Sequence, residues 1–278
     1  MYTFELTKEL GPFFSGEDAF DQVLRAEGEP YRLFANRRTV RIERDGCSYF
    51  LKVHLGVGWR EILKCLFTFR LPVLGAVNEW QAIKRLEKLG VATMTIAGFG
   101  TRGMNPANRQ SFLITEDLVG TVSLEDYCRN WGESRPPAAL KRALIAKVAA
   151  IARQLHDNGV NHRDFYLCHF HLDQASVEEF LASGGALTLY LIDLHRTQIR
   201  NSTPQRWRDK DLAGLYFSAM DIGLNRRDLL RFIRGYTGCS LREESVKNSR
   251  YWLGIHCKAC RLYEKVHQRK SPHQNWWS

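Results

Sequence analysis

Two hydrophobic rhythms divide this sequence. In its first part Tyr31–Ala35, Thr39–Glu43 and Ser48–His54 are short runs rich in β-branched and aromatic residues. Asn36-Arg37-Arg38 and Asp45-Gly46 punctuate them as turns, which predicts an antiparallel meander of three strands. Trp80, Ile83, Leu86 and Leu89 then fall on one stripe, predicting a helix over about Val77–Leu89 that Gly90 stops. Thr93–Phe99 and Ser111–Thr115 read as two more strands, and Thr115-Glu116-Asp117-Leu118 leads out of the strand-rich region.

From about Pro137 the rhythm becomes helical. Leu140, Leu144, Val148, Ile151 and Leu155 recur at spacings of four and three, one apolar face. His156-Asp157-Asn158-Gly159 ends it, with the glycine placed for a left-handed cap. Leu187–Ile192 alternates as a strand, and Asp211–Ile222 and Arg227–Tyr236 read as further helices. A strand-rich half followed by a helix-rich half is an α+β, two-lobed architecture, divided here as residues 1–117 and 118–278.

Composition changes this picture in two respects. Forty Lys and Arg against thirty Asp and Glu give a formal charge of +10, which favours phosphates, nucleic acid or an anionic membrane surface. No zinc-finger, RRM or helix-turn-helix pattern supports nucleic acid. The seven cysteines, scattered and odd in number, read as reduced cytosolic thiols, because Met1-Tyr2-Thr3-Phe4-Glu5 shows no secretory signal. Cys257-Lys258-Ala259-Cys260 reads as two thiols one helical turn apart; His256 and His267 would complete only a poor zinc site.

The chemistry lies in four residues in fixed order. Lys52 sits inside a strand, and Glu79 lies in the first turn of the next helix. His162-Arg163-Asp164 follows the long helix and its glycine cap, and Asp193 ends an apolar strand. Phosphoryl transfer needs a cation on the nucleotide phosphates, a carboxylate fixing that cation, a carboxylate for metal, and one for the acceptor hydroxyl. Lys52, Glu79, Asp193 and Asp164 supply these in the order of a protein-kinase-like fold. Each alone has a bland reading: a solvated strand lysine, a helix-capping glutamate, a turn aspartate.

Longer runs carry a resemblance. Gly159-Val160-Asn161-His162-Arg163-Asp164-Phe165-Tyr166-Leu167-Cys168-His169-Phe170 and Ile192-Asp193-Leu194-His195-Arg196 are similar to the bacterial lipopolysaccharide kinases. So are Gly56-Val57-Gly58-Trp59-Arg60-Glu61-Ile62, Leu71-Pro72-Val73-Leu74-Gly75-Ala76 and Arg208-Asp209-Lys210-Asp211-Leu212-Ala213, over about Phe20 to Tyr263. The resemblance implies an ATP- and Mg²⁺-dependent enzyme, peripheral at the cytoplasmic face of a Gram-negative inner membrane. It would phosphorylate the first heptose of the inner-core glycolipid. It implies Asp164 as catalytic aspartate with His162 and Arg163 beside it, Lys52 as the ATP lysine and Asp193 as the metal aspartate. An acyl carrier protein is implied as a possible partner. Alternatives remain: a kinase for another core sugar such as 3-deoxy-octulosonate, a protein tyrosine or serine kinase, or a pseudokinase acting as a binding module.

Several positions depart from the kinase pattern. No G-x-G-x-x-G precedes Lys52, so the guanidinium of Arg37 or Arg38 is expected to cover the phosphates, with a solvated turn as the alternative. Glu116, at the exit from the strands, is placed with the nucleotide-binding residues. His169 stands five positions after Asp164, where protein kinases carry Asn, and is expected as a second metal ligand. Only eighteen positions separate Asp193 from Asp211, too few for a peptide-docking activation segment, which favours a small-molecule or glycolipid acceptor. Asp211 is expected to open a helix and to anchor the catalytic loop, with Asp209 on the solvent side. Residues 57–74 form an insertion in which Trp59, Ile62, Leu63, Leu66, Phe67 and Phe69 interleave with Arg60, Lys64 and Arg70. That face suits an anionic membrane or an acidic partner; the alternative is packing against its own lobe.

Overall fold

Alternation builds the sheet. In this computed structural model, which describes residues 2–34, 36–67 and 75–274, the first elements are β1 (Tyr2–Leu6), α1 (Ala19–Arg25), β2 (Glu29–Phe34), β3 (Arg37–Arg44) and β4 (Cys47–His54). There follow α2 (Gly58–Phe67), α3 (Val77–Lys88), β5 (Ile96–Arg102) and β6 (Gln110–Glu116). The six strands form one antiparallel sheet in the order β1-β5-β6-β4-β3-β2. Val40, Ile42, Tyr49, Leu51, Val53, Phe112 and Ile114 point to one face and pack with Phe20, Val23 and Leu24 of α1. Successive strand residues face opposite ways, so Lys52 lies on the other face, with its cross-strand partners Thr39 and Leu113. Phe99, which pairs with Leu113, stacks on Trp80 of α3 at 4.7 Å, placing α3 on that second face.

The predicted meander is therefore present as β2-β3-β4, but Arg37 and Arg38 belong to β3 and not to the turn, which shrinks toward Asn36. The insertion carries a helix, α2. Phe69, Arg70 and Leu71-Pro72-Val73-Leu74 lie outside the described residues, as does the side chain of Leu66.

Helices dominate the remainder: β7 (Thr121–Ser123), α4 (Leu124–Cys128), α5 (Ala138–Asp157), β8 (Val160–Asn161), β9 (Phe170–Asp173), α6 (Gln174–Ser183) and β10 (Leu189–Leu191). Next come β11 (Gln198–Ile199), α7 (Gln205–Ser218), α8 (Arg226–Thr237), α9 (Leu241–Lys247) and α10 (Ser249–His267). The predicted stripe of α5 is buried at Leu140, Leu144, Val148, Ile151 and Leu155. At its end Gly159 has φ +76°, and a Cβ there would lie 1.8 Å from the Arg200 carbonyl, so only glycine lets β8 and the segment after β11 meet. Asp211 lies inside α7 and does not open it; the helix starts six residues earlier, at Gln205 after Pro204. Asp209 is ion-paired with Lys258 of α10 and mostly buried, so it docks one helix on another and is not a solvent-side residue. Cys257 and Cys260 both fall on α10.

The chain divides into two compact units. The first holds residues 1–87, 93–119 and 193–196; the second holds 88–92, 120–192 and 197–278. Among the described residues no helix is long and apolar enough to cross a membrane.

Candidate active site

In the first unit Lys52 Nζ meets Glu79 Oε1 at 2.5 Å, with 14% and 2% of the two side chains exposed. The strand period brings the lysine to this face, and the first turn of α3 brings the glutamate. Removing either partner would strand a buried charge, which costs about 3–5 kcal/mol. Arg37 shares the Lys52 face and pairs across β4 with His54. Its Nε is buried with no hydrogen-bond partner among the described residues. Arg38 points the other way and donates from Nη2 to the Leu24 carbonyl of α1 at 2.5 Å. Of the two arginines named for the phosphates, Arg38 is thus already engaged. His54 is buried, and its imidazole is pushed down to about 3 by that burial and then by the charges of Arg37, Lys52 and His195. It stays neutral beside this cationic group. Glu116 is exposed at the end of β6, opposite Tyr49 and not opposite Lys52.

Asp193 also belongs to the first unit. Its backbone is left-handed at φ +59°, a conformation that costs a non-glycine residue energy and concentrates at functional sites. His195 Nδ1–H donates to Asp193 Oδ1 at 2.5 Å, and Asn78, beside Glu79, donates from Nδ2 to the His195 carbonyl at 2.8 Å. Among the described residues no three His, Cys, Asp or Glu side chains cluster into an all-protein metal cage. Magnesium at phosphates needs less than that: one or two carboxylates, with substrate oxygens and water completing the octahedron. Asp193 fits such a donor set.

In the second unit His162-Arg163-Asp164 leaves β8, which β11 holds in place. Asp211, 1% exposed, clamps this loop: Oδ2 accepts the His162 N–H at 2.7 Å and Oδ1 the Arg163 N–H at 2.8 Å. His156 Nε2 lies 3.4 Å from the same carboxylate, and Tyr236 Oη is 2.9 Å from His156 Nδ1. Burial, ahead of nearby charges, pushes the Tyr236 phenol up to about 12, so it remains a donor. The expected anchoring role of Asp211 is present in this geometry. Clamped there, Arg163 takes φ +75°. The Asp164 carbonyl accepts from the Tyr166 N–H at 3.0 Å and from His169 Nδ1 at 2.7 Å. A carbonyl cannot donate, so His169 carries its proton on Nδ1 when neutral. His162 is fully buried and pinned by Nε2 to the Ile192 carbonyl at 2.9 Å; it holds the loop to the end of β10.

The second unit also carries a half-open cavity of about 100 Å³ with an almost wholly apolar lining that includes Leu124, Leu144, Leu215, Phe232 and Ile255. Asp228 at its edge is 2% exposed and ion-paired with Lys141 and Arg231, each at 2.7 Å. His156, Tyr236, Asn78 and His195 were not singled out from sequence as parts of the site. Only His195 carried a signal, two residues after Asp193; the others depend on contacts distant in the chain.

Comparison with known proteins agrees with this geometry. The model of the lipopolysaccharide kinase (Kdo/WaaP) family matches residues 21–236. The chain is 51% identical over 266 residues to the lipopolysaccharide core heptose(I) kinase WaaP of Escherichia coli K12, covering 96% of this chain and 98% of that one. It is 50% identical over 255 residues to the protein of that name from Pseudomonas aeruginosa, covering 91% and 92%. A solved structure of WaaP in complex with acyl carrier protein is similar with a TM-score of 0.79 at 43% identity, covering 94% of this chain and 100% of that one.

Proposed function

Because the chain belongs to the lipopolysaccharide kinase (Kdo/WaaP) family, we propose that it moves the γ-phosphoryl group of ATP onto a hydroxyl of the first heptose of the lipopolysaccharide core. It is a phosphotransferase with a sugar hydroxyl as acceptor. On this chain the reading is carried by the buried Lys52–Glu79 ion pair at 2.5 Å. Nothing in the packing of a sheet face requires a lysine there, and kinase chemistry does.

Each residue then has a task. Lys52, oriented by Glu79, neutralises the α- and β-phosphates, and Arg37 adds a guanidinium where a glycine-rich cradle is missing. Asp193 is the carboxylate that would hold magnesium, whose charge would offset that of the triphosphate. Asp164 orients the acceptor hydroxyl and accepts its proton as the oxygen bonds to the γ-phosphorus. The bond from that phosphorus to the β,γ-bridging oxygen breaks, and ADP leaves. The Asp211 clamp keeps Asp164 in position throughout, so that its cost is met on folding and not at each turnover.

The partners follow from surfaces. Trp59, Leu63 and Phe67 lie one turn apart on α2 and are 54%, 48% and 82% exposed, with Arg60 and Lys64 exposed beside them. This stripe would dock the enzyme to the anionic cytoplasmic face of the inner membrane, where its glycolipid acceptor resides. An acyl carrier protein is a further partner for this chain, since the similar WaaP structure contains one; the apolar cavity would suit part of an acyl chain.

The test is direct. Purified protein with γ-labelled ATP, Mg²⁺ and phosphate-free heptose-bearing core lipopolysaccharide should place label on the sugar. Label on protein tyrosine or serine alone, or on 3-deoxy-octulosonate, would replace the heptose reading by that alternative.

A further inference from the structure

Four cations crowd one indole in the second unit. The guanidinium carbons of Arg163, Arg206 and Arg200 lie 5.1, 5.2 and 6.0 Å from the centre of the Trp207 ring, and Lys210 Nζ lies 5.7 Å from it. Three stretches of chain converge to place them: the catalytic loop supplies Arg163, the residue after β11 is Arg200, and the first turns of α7 carry the rest. Arg200 gives its two Nη groups to the amide oxygens of Asn161 and Gln198, both at 2.7 Å, so these partners bring no negative charge. Its guanidinium is held below its ordinary value by burial and then by the charge of Arg206. Arg206 is exposed and forms no ion pair among the described residues. The Trp207 Nε1–H is buried and has no hydrogen-bond partner among them.

Each cation gains from the indole face, about 0.5–2 kcal/mol by its degree of desolvation, but the cations repel one another. A group of this kind raises the local concentration of anions, and the exposed Arg206 is the member placed to meet one. Its position gives the anion a role, because Arg163 immediately precedes Asp164 and is fixed by the Asp211 clamp.

We propose that Arg163, Arg200, Arg206 and Lys210, assembled around Trp207, form a subsite for an acidic group of the sugar acceptor, beside the hydroxyl that Asp164 activates. A carboxylate or a phosphate matches a planar guanidinium in the same bidentate manner. The subsite fixes the register of the acceptor: the acid is held by the arginines, and the neutral sugar hydroxyl is left at Asp164. This inference rests on the sugar-acceptor reading above.

Kinetics of the full chain tests it, with Arg206→Gln and Arg206→Lys as variants, both at an exposed position of α7. Three acceptors are compared: heptose-bearing core lipopolysaccharide, the same with its carboxyls reduced to alcohols, and the same after phosphatase treatment. The wild type should show a KM about tenfold higher on one of the two modified acceptors, the size expected for one charge-assisted contact. Which acceptor loses affinity identifies the acid. Arg206→Gln should erase most of that difference with kcat and the KM for ATP within about twofold of wild type, and Arg206→Lys should recover part of it. Equal KM for all three acceptors overturns the subsite; so does a rise in the KM for ATP alone, which would assign the cations to nucleotide phosphate. Calorimetric titration of the unmodified core lipopolysaccharide without nucleotide separates this from the heptose reading. If no sugar is labelled yet Arg206→Glu abolishes binding, the heptose reading fails and the subsite stands; unchanged binding overturns the subsite.

Discussion

In the proposed reaction Asp164 is the carboxylate at the acceptor hydroxyl, and its carbonyl is held by Tyr166 and His169. Asp164→Asn keeps the side-chain volume and cannot take a proton, so turnover should fall by about 10²-fold or more with nucleotide affinity near normal. Retention of a tenth of wild-type turnover would move the role elsewhere. The two arginines of β3 part company for a reason of strand geometry. Arg37→Ala should raise the KM for ATP several-fold at little cost in stability. Arg38→Ala should leave that KM unchanged and lower the unfolding free energy by about 1 kcal/mol through its lost bond to the Leu24 carbonyl. The opposite pattern in steady-state kinetics and denaturant titration would reverse their assignment. The sequence could name both residues but could not choose between them, because the choice depends on where the turn ends. The placements of Lys52 in a strand, Glu79 at a helix start, Asp164 after a glycine-capped helix and Asp193 after a strand were legible, because each is tied to a local pattern.

Elements were legible where aliphatic periodicity marks them. The α5 stripe and the β2-β3-β4 meander belong to this class. Helix α10 does not, although it buries Trp252, Ile255, His256, Ala259, Cys260 and Tyr263 at helical spacing. Only Ile255 and Ala259 in its stripe are aliphatic, the others being histidine, cysteine and aromatics, so aliphatic periodicity does not detect it. Strand β1 is a short edge strand, and only its pairing with β5 defines it. At α8 an acidic residue does structural work: Asp228 completes the capping box with Asn225 and holds Lys141 of α5. Asp228→Ala should therefore destabilise by about 3 kcal/mol, read as a shifted midpoint in urea; a change below about 1 kcal/mol would show the pair to be dispensable. Helix α2 makes the contrary prediction. Arg60→Gln with Lys64→Gln should weaken binding to anionic vesicles by roughly tenfold or more, about 1 kcal/mol per charge, with less loss at high salt. Activity on a water-soluble heptose acceptor should survive. Unaltered vesicle binding would make α2 ordinary lobe structure.

Two buried histidines give the whole molecule part of its acid sensitivity. Burial first, and then neighbouring positive charge, holds His54 at about 3 and His273 at about 4, against an ordinary 6.5. The unfolded chain binds these protons from about pH 6.5 downward and the folded chain does not, so stability is full above 6.5 and declines as the pH falls toward 4. Each group contributes about 2 kcal/mol to that decline by pH 4.5. The thermal midpoint of His54→Gln/His273→Gln should depend less steeply on pH between 6.5 and 4.5 than that of wild type; equal slopes would place the titration elsewhere. At this scale the α+β class was legible, and the return of residues 193–196 to the first unit was not. Residues 193–196 belong to the first unit although residues 120–192 before them belong to the second. On the ribosome that arrangement sets an order of events. When Val119 has emerged, the first unit still lacks Asp193 and the His195 carbonyl that Asn78 holds. It waits, incomplete, until about half of the second unit, His162-Arg163-Asp164 included, has been synthesised, so the unit that holds Lys52 and Glu79 cannot mature before that loop has been made.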